Sequence, residues 1–61
     1  MVREITRQEA EILLSNREVT STRVEQKDHE MRVLLTLADN NTCLVRFNRE
    51  NGEKQYFIQQ T

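Results

Sequence analysis

Three short segments after residue 18 are spaced by turn formers in a pattern that fits a single sheet. This pattern restricts the chain to an antiparallel sheet more firmly than any other feature it has. Glu30–Leu37 and Cys43–Phe47 alternate strongly. Tyr56–Ile58 follows the dipeptide Asn51-Gly52, the strongest short-range hairpin signal a sequence offers. A weaker segment, Val19 to Gln26, is rich in Thr and Ser and supplies a fourth strand. The expected strands cover 19–26, 30–38, 42–49 and 54–60.

The turns suggest a register. A two-residue turn at Asn51-Gly52 sets Phe47 opposite Tyr56, Val45 opposite Ile58 and Arg46 opposite Phe57. A three-residue loop, Asp39-Asn40-Asn41, with Asn41 left-handed, sets Leu37 opposite Cys43, Leu35 opposite Val45 and Val33 opposite Phe47. A two-residue loop there would set Leu35 against Arg46 and spoil the apolar face. A turn at Asp28-His29 pairs Val24 with Val33, Thr22 with Leu35 and Glu25 with Arg32. One face then gathers Thr20, Leu37, Cys43 and Gln60, then Thr22, Leu35, Val45 and Ile58, then Val24, Val33, Phe47 and Tyr56. Beside the last turn, Arg49 would face Lys54 and Glu50 would face Glu53. These like-charge pairs are unfavourable and leave room for a longer loop.

Before the strands, Thr6-Arg7-Gln8-Glu9 reads as a capping box, with Ile5 and Ala10 placed as a hydrophobic staple. The helix is expected over about 6–16, with Ala10, Leu13 and Leu14 on one stripe and Ile12 off it. The fold class is therefore α+β: an N-terminal helix packed on one face of a four-stranded antiparallel meander, one domain over residues 1–61. Leu35, Val45 and Phe47 are expected to be buried under Leu13 and Leu14.

A helix of this length covers one face only. The other face is expected to carry the row Arg23–Leu34–Arg46–Phe57, with Leu44 in the next row. A solvated face seldom places three large apolar side chains together. A chain of 61 residues is also marginal alone and usually gains support from disulfides, a metal or a partner. With one cysteine and one histidine, neither of the first two is expected. The candidate interface is accordingly Arg23, Leu34, Leu44, Arg46 and Phe57. The expected partner is a protein, most simply a second copy. The first and last strands of the meander offer free edges as a second route.

The same arginines and Phe57 suggest an alternative, single-stranded or structured nucleic acid stacked on the sheet. A net charge of −1 and a single aromatic on that face weigh against it. Catalytic chemistry finds no foothold. Lys27-Asp28-His29-Glu30 is a turn whose side chains diverge, Cys43 faces the core away from His29, and one glycine cannot build a phosphate loop. No cofactor and no catalytic or metal site is expected. The expected role is a small non-catalytic binding module of the accessory-factor or inhibitor kind, an inference from size and class. No stretch is apolar enough to span a membrane, and no export signal opens the chain. With one unpaired cysteine this suggests the cytoplasm.

Overall fold

The structure is a computed structural model and describes residues 1–60. Thr61, the last residue of the expected domain, lies outside the described residues. The elements in chain order are β1 (Val2–Ile5), α1 (Arg7–Asn16), β2 (Val19–Lys27), β3 (Glu30–Leu37), β4 (Thr42–Asn48) and β5 (Lys54–Gln59). All strand pairs are antiparallel and the sheet order is β1-β5-β4-β3-β2. The class is α+β, but the sheet has five strands rather than the expected four. The additional strand, β1, pairs with β5 from Val2 opposite Gln59 to Ile5 opposite Tyr56. The ladder extends past the strand through the Gln60 amide, which donates to the Met1 carbonyl at 3.0 Å. Strand β5 is therefore interior, and the free edges are β1 and β2 rather than the first and last strands of the meander.

The helix begins where its cap dictates. The Glu9 amide donates to the Thr6 hydroxyl at 3.1 Å, and the Thr6 amide reaches back to the Glu9 carboxylate at 3.5 Å. These bonds satisfy amides that the first turn cannot pair internally. Thr6→Ala should destabilise the fold by about 0.5–2 kcal/mol. A thermal midpoint and far-ultraviolet helix signal equal to wild type would show that the cap contributes nothing.

Each hairpin keeps the expected faces, but two of the three differ from the expected register. The β2–β3 pairing is as read: Thr22 opposite Leu35, Val24 opposite Val33 and Glu25 opposite Arg32. Its far end bulges, so Val19 rather than Thr20 meets Leu37, and the Thr20 hydroxyl donates to the Thr36 carbonyl at 3.2 Å. In the β3–β4 hairpin the three-residue loop is Ala38–Asn40, one residue earlier than expected. Asn40, not Asn41, takes the left-handed conformation at φ 69°. Asp39 fixes this loop by accepting from the Asn41 amide at 3.1 Å and pairing with Arg17.

The β4–β5 connection is a four-residue loop, Arg49–Gly52, not a two-residue turn. The Asn48 amide donates to the Glu53 carbonyl at 2.9 Å, and the Gly52 amide donates to the Asn48 carbonyl at 2.9 Å. The Asn48 and Asn51 side chains accept from the Glu50 and Glu53 amides, each at 2.9 Å. Gly52 closes the loop at φ 72°, a conformation that glycine adopts without strain. The longer loop also removes the like-charge pairs that a two-residue turn would have set face to face. Both registers move by two residues, so every side chain stays on its expected face and only its row changes.

The core lies off-centre. Ile5, Ala10 and Ile58 form one buried cluster, with Leu13 and Tyr56 packed on it. Leu37 and Cys43 are 1% and 0% exposed. Leu35, Val45 and Phe47, expected beneath the helix, are only half-buried, and Val24 is 53% exposed. Connectivity explains this. The segment α1 carries the chain from edge strand β1 to edge strand β2. Ten residues of helix span about 15 Å, against about 19 Å between the two edge strands of a five-stranded sheet. A helix so tethered leaves a corner of its own face open.

Candidate functional site

The five residues singled out from the sequence, Arg23, Leu34, Leu44, Arg46 and Phe57, all belong to the face opposite the core. Their neighbours in each strand, Thr22, Leu35, Cys43, Val45 and Ile58, belong to the helix side. Their order differs from the expected one. Leu44, not Arg46, is paired with both Leu34 and Phe57. The central row, read from edge to edge, is Glu4 on β1, Phe57 on β5, Leu44 on β4, Leu34 on β3 and Arg23 on β2. Three large apolar side chains therefore stand side by side across the three interior strands, unbroken by charge. Each is half-buried within the chain.

Arg46 falls in the adjoining row, Glu25–Arg32–Arg46–Gln55. Beside it, Glu30 binds two arginines: Arg32 Nε donates to Glu30 Oε1 at 3.0 Å, and Arg46 Nε pairs with the same oxygen. The Arg32 hydrogen bond, assisted by both guanidinium charges, holds the Glu30 carboxyl below its ordinary value, against an opposing desolvation effect. Arg23 makes only a loose 3.9 Å contact with Glu25 and is otherwise turned to solvent. On the other side of the apolar row lie Ser21, Thr36, Thr42, Gln59 and Val2. The face is thus an apolar bar with a partly neutralised charged border on one side and a neutral border on the other.

Three features were not reached from the sequence. Glu4 enters the face because β1 exists, and four residues with two charges gave no strand signal of their own. The neutralisation of Arg46 by Glu30 depends on a register that sequence placed two residues away. On the helix side, the open corner gathers Val24, Met31, Val33 and Phe47, with the Lys54 ammonium 5.9 Å from the Phe47 ring centroid.

The groups that could have carried chemistry do not converge. His29 lies exposed on the β2–β3 turn and meets Glu50 at 3.2 Å. Cys43 is enclosed on the helix side, and burial pushes its thiol above the ordinary value, away from the reactive thiolate. Among the described residues no three of His, Cys, Asp and Glu come together as a metal site. A depression of about 440 Å³ at the helix start, lined by Ile5, Thr6, Glu9 and Tyr56 among others, opens widely to solvent. Among the described residues, no helix is long and apolar enough to cross a membrane. Ile12, off the apolar stripe, is 53% exposed, as an isolated surface apolar residue commonly is. Comparison with known proteins finds no match for this chain, whether among family models, curated proteins or solved structures.

Proposed function

We propose that this chain is a non-catalytic protein-binding module that docks through the face bearing Leu34, Leu44 and Phe57, with self-association its simplest use. The observation that carries the reading is the contiguous apolar row on the face without a helix. Such a row, rimmed by arginine and carboxylate, has the composition of a protein interface: an apolar centre, an aromatic and a polar border. The edge strand β2 is a second route. Its nine residues are exposed except for the half-buried Glu25, and among the described residues its outer side has no neighbouring strand. An accessory factor or inhibitor would work in this way, by occupying a surface. The lone, enclosed thiol suits a reducing compartment and supports a cytoplasmic site of action.

Nucleic acid is the weaker occupant. Phe57 offers a ring for stacking, but Arg32 and Arg46 already share Glu30, which reduces the charge left for phosphates. Binding of mixed single-stranded oligonucleotides that weakens steeply with salt and is lost in Arg46→Ala and Phe57→Ala would replace the protein reading.

The test of the docking face is the variant carrying Leu34→Asp and Phe57→Asp, followed by sedimentation equilibrium over a range of concentrations. The double variant should stay folded and monomeric. A folded variant with wild-type association would move the interface to an edge strand or the helix.

A further inference from the structure

We infer that the partner is a second copy of this chain, stacked face to face about a two-fold axis that runs along β4, with Arg23 of each copy paired to Glu4 of the other. The inference rests on the reading of the outer face as a docking surface and specifies its occupant and geometry.

The argument begins with the order of the central row. Its five members, one per strand, are Glu4, Phe57, Leu44, Leu34 and Arg23, and Leu44 sits on the middle strand of the five. The row ends in an anion on one edge and a cation on the other. A two-fold interface is self-complementary: if residue i meets j, then j meets i. A dyad parallel to β4 and through Leu44 reverses the row in the second copy. Leu44 then meets Leu44, Phe57 meets Leu34 of the other copy, Leu34 meets Phe57, Glu4 meets Arg23, and Arg23 meets Glu4. Every position finds a partner of matching character, with both ion pairs on the rim. A dyad perpendicular to the strands would set Arg23 on Arg23 and Glu4 on Glu4. Charge therefore selects one of the two ways of stacking the face on itself.

In the neighbouring rows this axis sets mostly neutral groups together, with like charges meeting only at Arg46 on Arg46 and at the far end, where Glu30 faces Glu53. Thr42 meets its own copy, and Thr36 meets Gln59. Arg32 meets Gln55. Arg46 lies on the dyad strand and meets its own copy, a repulsive contact that Glu30 offsets because it is paired to Arg46 within each chain. This gives the Glu30 pairing a role beyond the single chain. Stacked sheets pack about 10 Å apart with their strands turned about 30° by twist, a displacement that long Arg and Glu side chains can span at the rim. The face is about 24 Å wide and about 20 Å long, so a pair of copies covers about 1,000 Å² of flat area, the lower bound for a specific interface.

The experiment is a charge exchange read by sedimentation equilibrium at low salt. Arg23→Glu alone and Glu4→Arg alone should each raise the dimer dissociation constant about tenfold to a hundredfold, because each places like charges together twice per dimer. An equimolar mixture of the two single variants should recover the wild-type constant as a heterodimer, and so should the chain carrying both changes. Glu30→Gln should weaken the wild-type dimer by exposing the two Arg46 charges to each other. Single variants that dimerise like wild type, or a mixture and a double variant that fail to recover, overturn the geometry. If Leu34→Asp with Phe57→Asp still abolishes association in that case, the docking face survives and only the dyad is lost. A wild-type chain that stays monomeric at every concentration overturns the self-complementary dimer and leaves the face to a foreign protein.

Discussion

Leu37→Ala should destabilise the fold by about 2–5 kcal/mol, enough to unfold much of the population at room temperature. Leu37 is the largest side chain that is fully enclosed, together with the smaller Cys43. Its backbone anchors the β3–β4 loop, donating to the Asn41 carbonyl at 2.8 Å and accepting from the Asn40 amide at 3.0 Å. Removing its branched end leaves a void that a short sheet with one helix has little slack to collapse. A core in a domain this small rarely supplies more than about 3–5 kcal/mol in total, so the loss is comparable to the whole stability. Urea denaturation at one fixed protein concentration measures it, because association would otherwise shift the midpoint. Leu34→Ala is the control. Leu34 is half-buried on the outer face, and its truncation should move the monomer far less. A larger loss in Leu34→Ala than in Leu37→Ala, at a concentration where both are monomeric, would mean that the faces are assigned the wrong way round.

The paired change Leu34→Asp and Phe57→Asp should raise the dissociation constant of self-association by at least about a hundredfold, which at ordinary concentrations is complete loss. The two residues flank Leu44, so the variant sets a carboxylate on each side of the interface centre, where association would have to strip it of water. The fold should survive, since both positions are partly exposed and a carboxylate there can turn to solvent. Circular dichroism checks the fold and sedimentation checks the mass. A folded double variant of wild-type mass would remove the outer face from consideration.

How far these expectations could be read from sequence varies with the kind of information. Period-two alternation assigned Leu34, Leu44 and Phe57 to one face and Leu35, Cys43 and Ile58 to the other. Both register shifts were of two residues, and such a shift preserves the face. Row assignments were less secure because they depend on loop length. Asn51-Gly52 resembles a two-residue turn, but the Asn48 and Asn51 side chains hold four residues in the loop. That change set Leu44 rather than Arg46 opposite Phe57, and the earlier β3–β4 loop set Leu44 rather than Arg46 opposite Leu34. The capping box at Thr6 was legible because all its groups lie within four residues. Strand β1 was not, because its partner lies at the other end of the chain and four residues cannot display a period.

That distant pairing has a consequence for the order of assembly. The hairpins β2–β3, β3–β4 and β4–β5 each join neighbouring segments, whereas β1 reaches β5 across nearly the whole sequence. Closing a loop of that size loses chain entropy before any contact compensates, so the meander should nucleate first and β1 should zip on late. Ile5, buried on β1, reports on this step. In stopped-flow kinetics Ile5→Ala should speed unfolding and leave the folding rate near wild type, whereas slower folding would place β1 in the nucleus. A strand that joins last is also the first to leave. Transient departure of β1 would bare the β5 edge and remove Glu4 from the outer face at the same moment, so the lifetime of one four-residue strand governs how long that face stays complete.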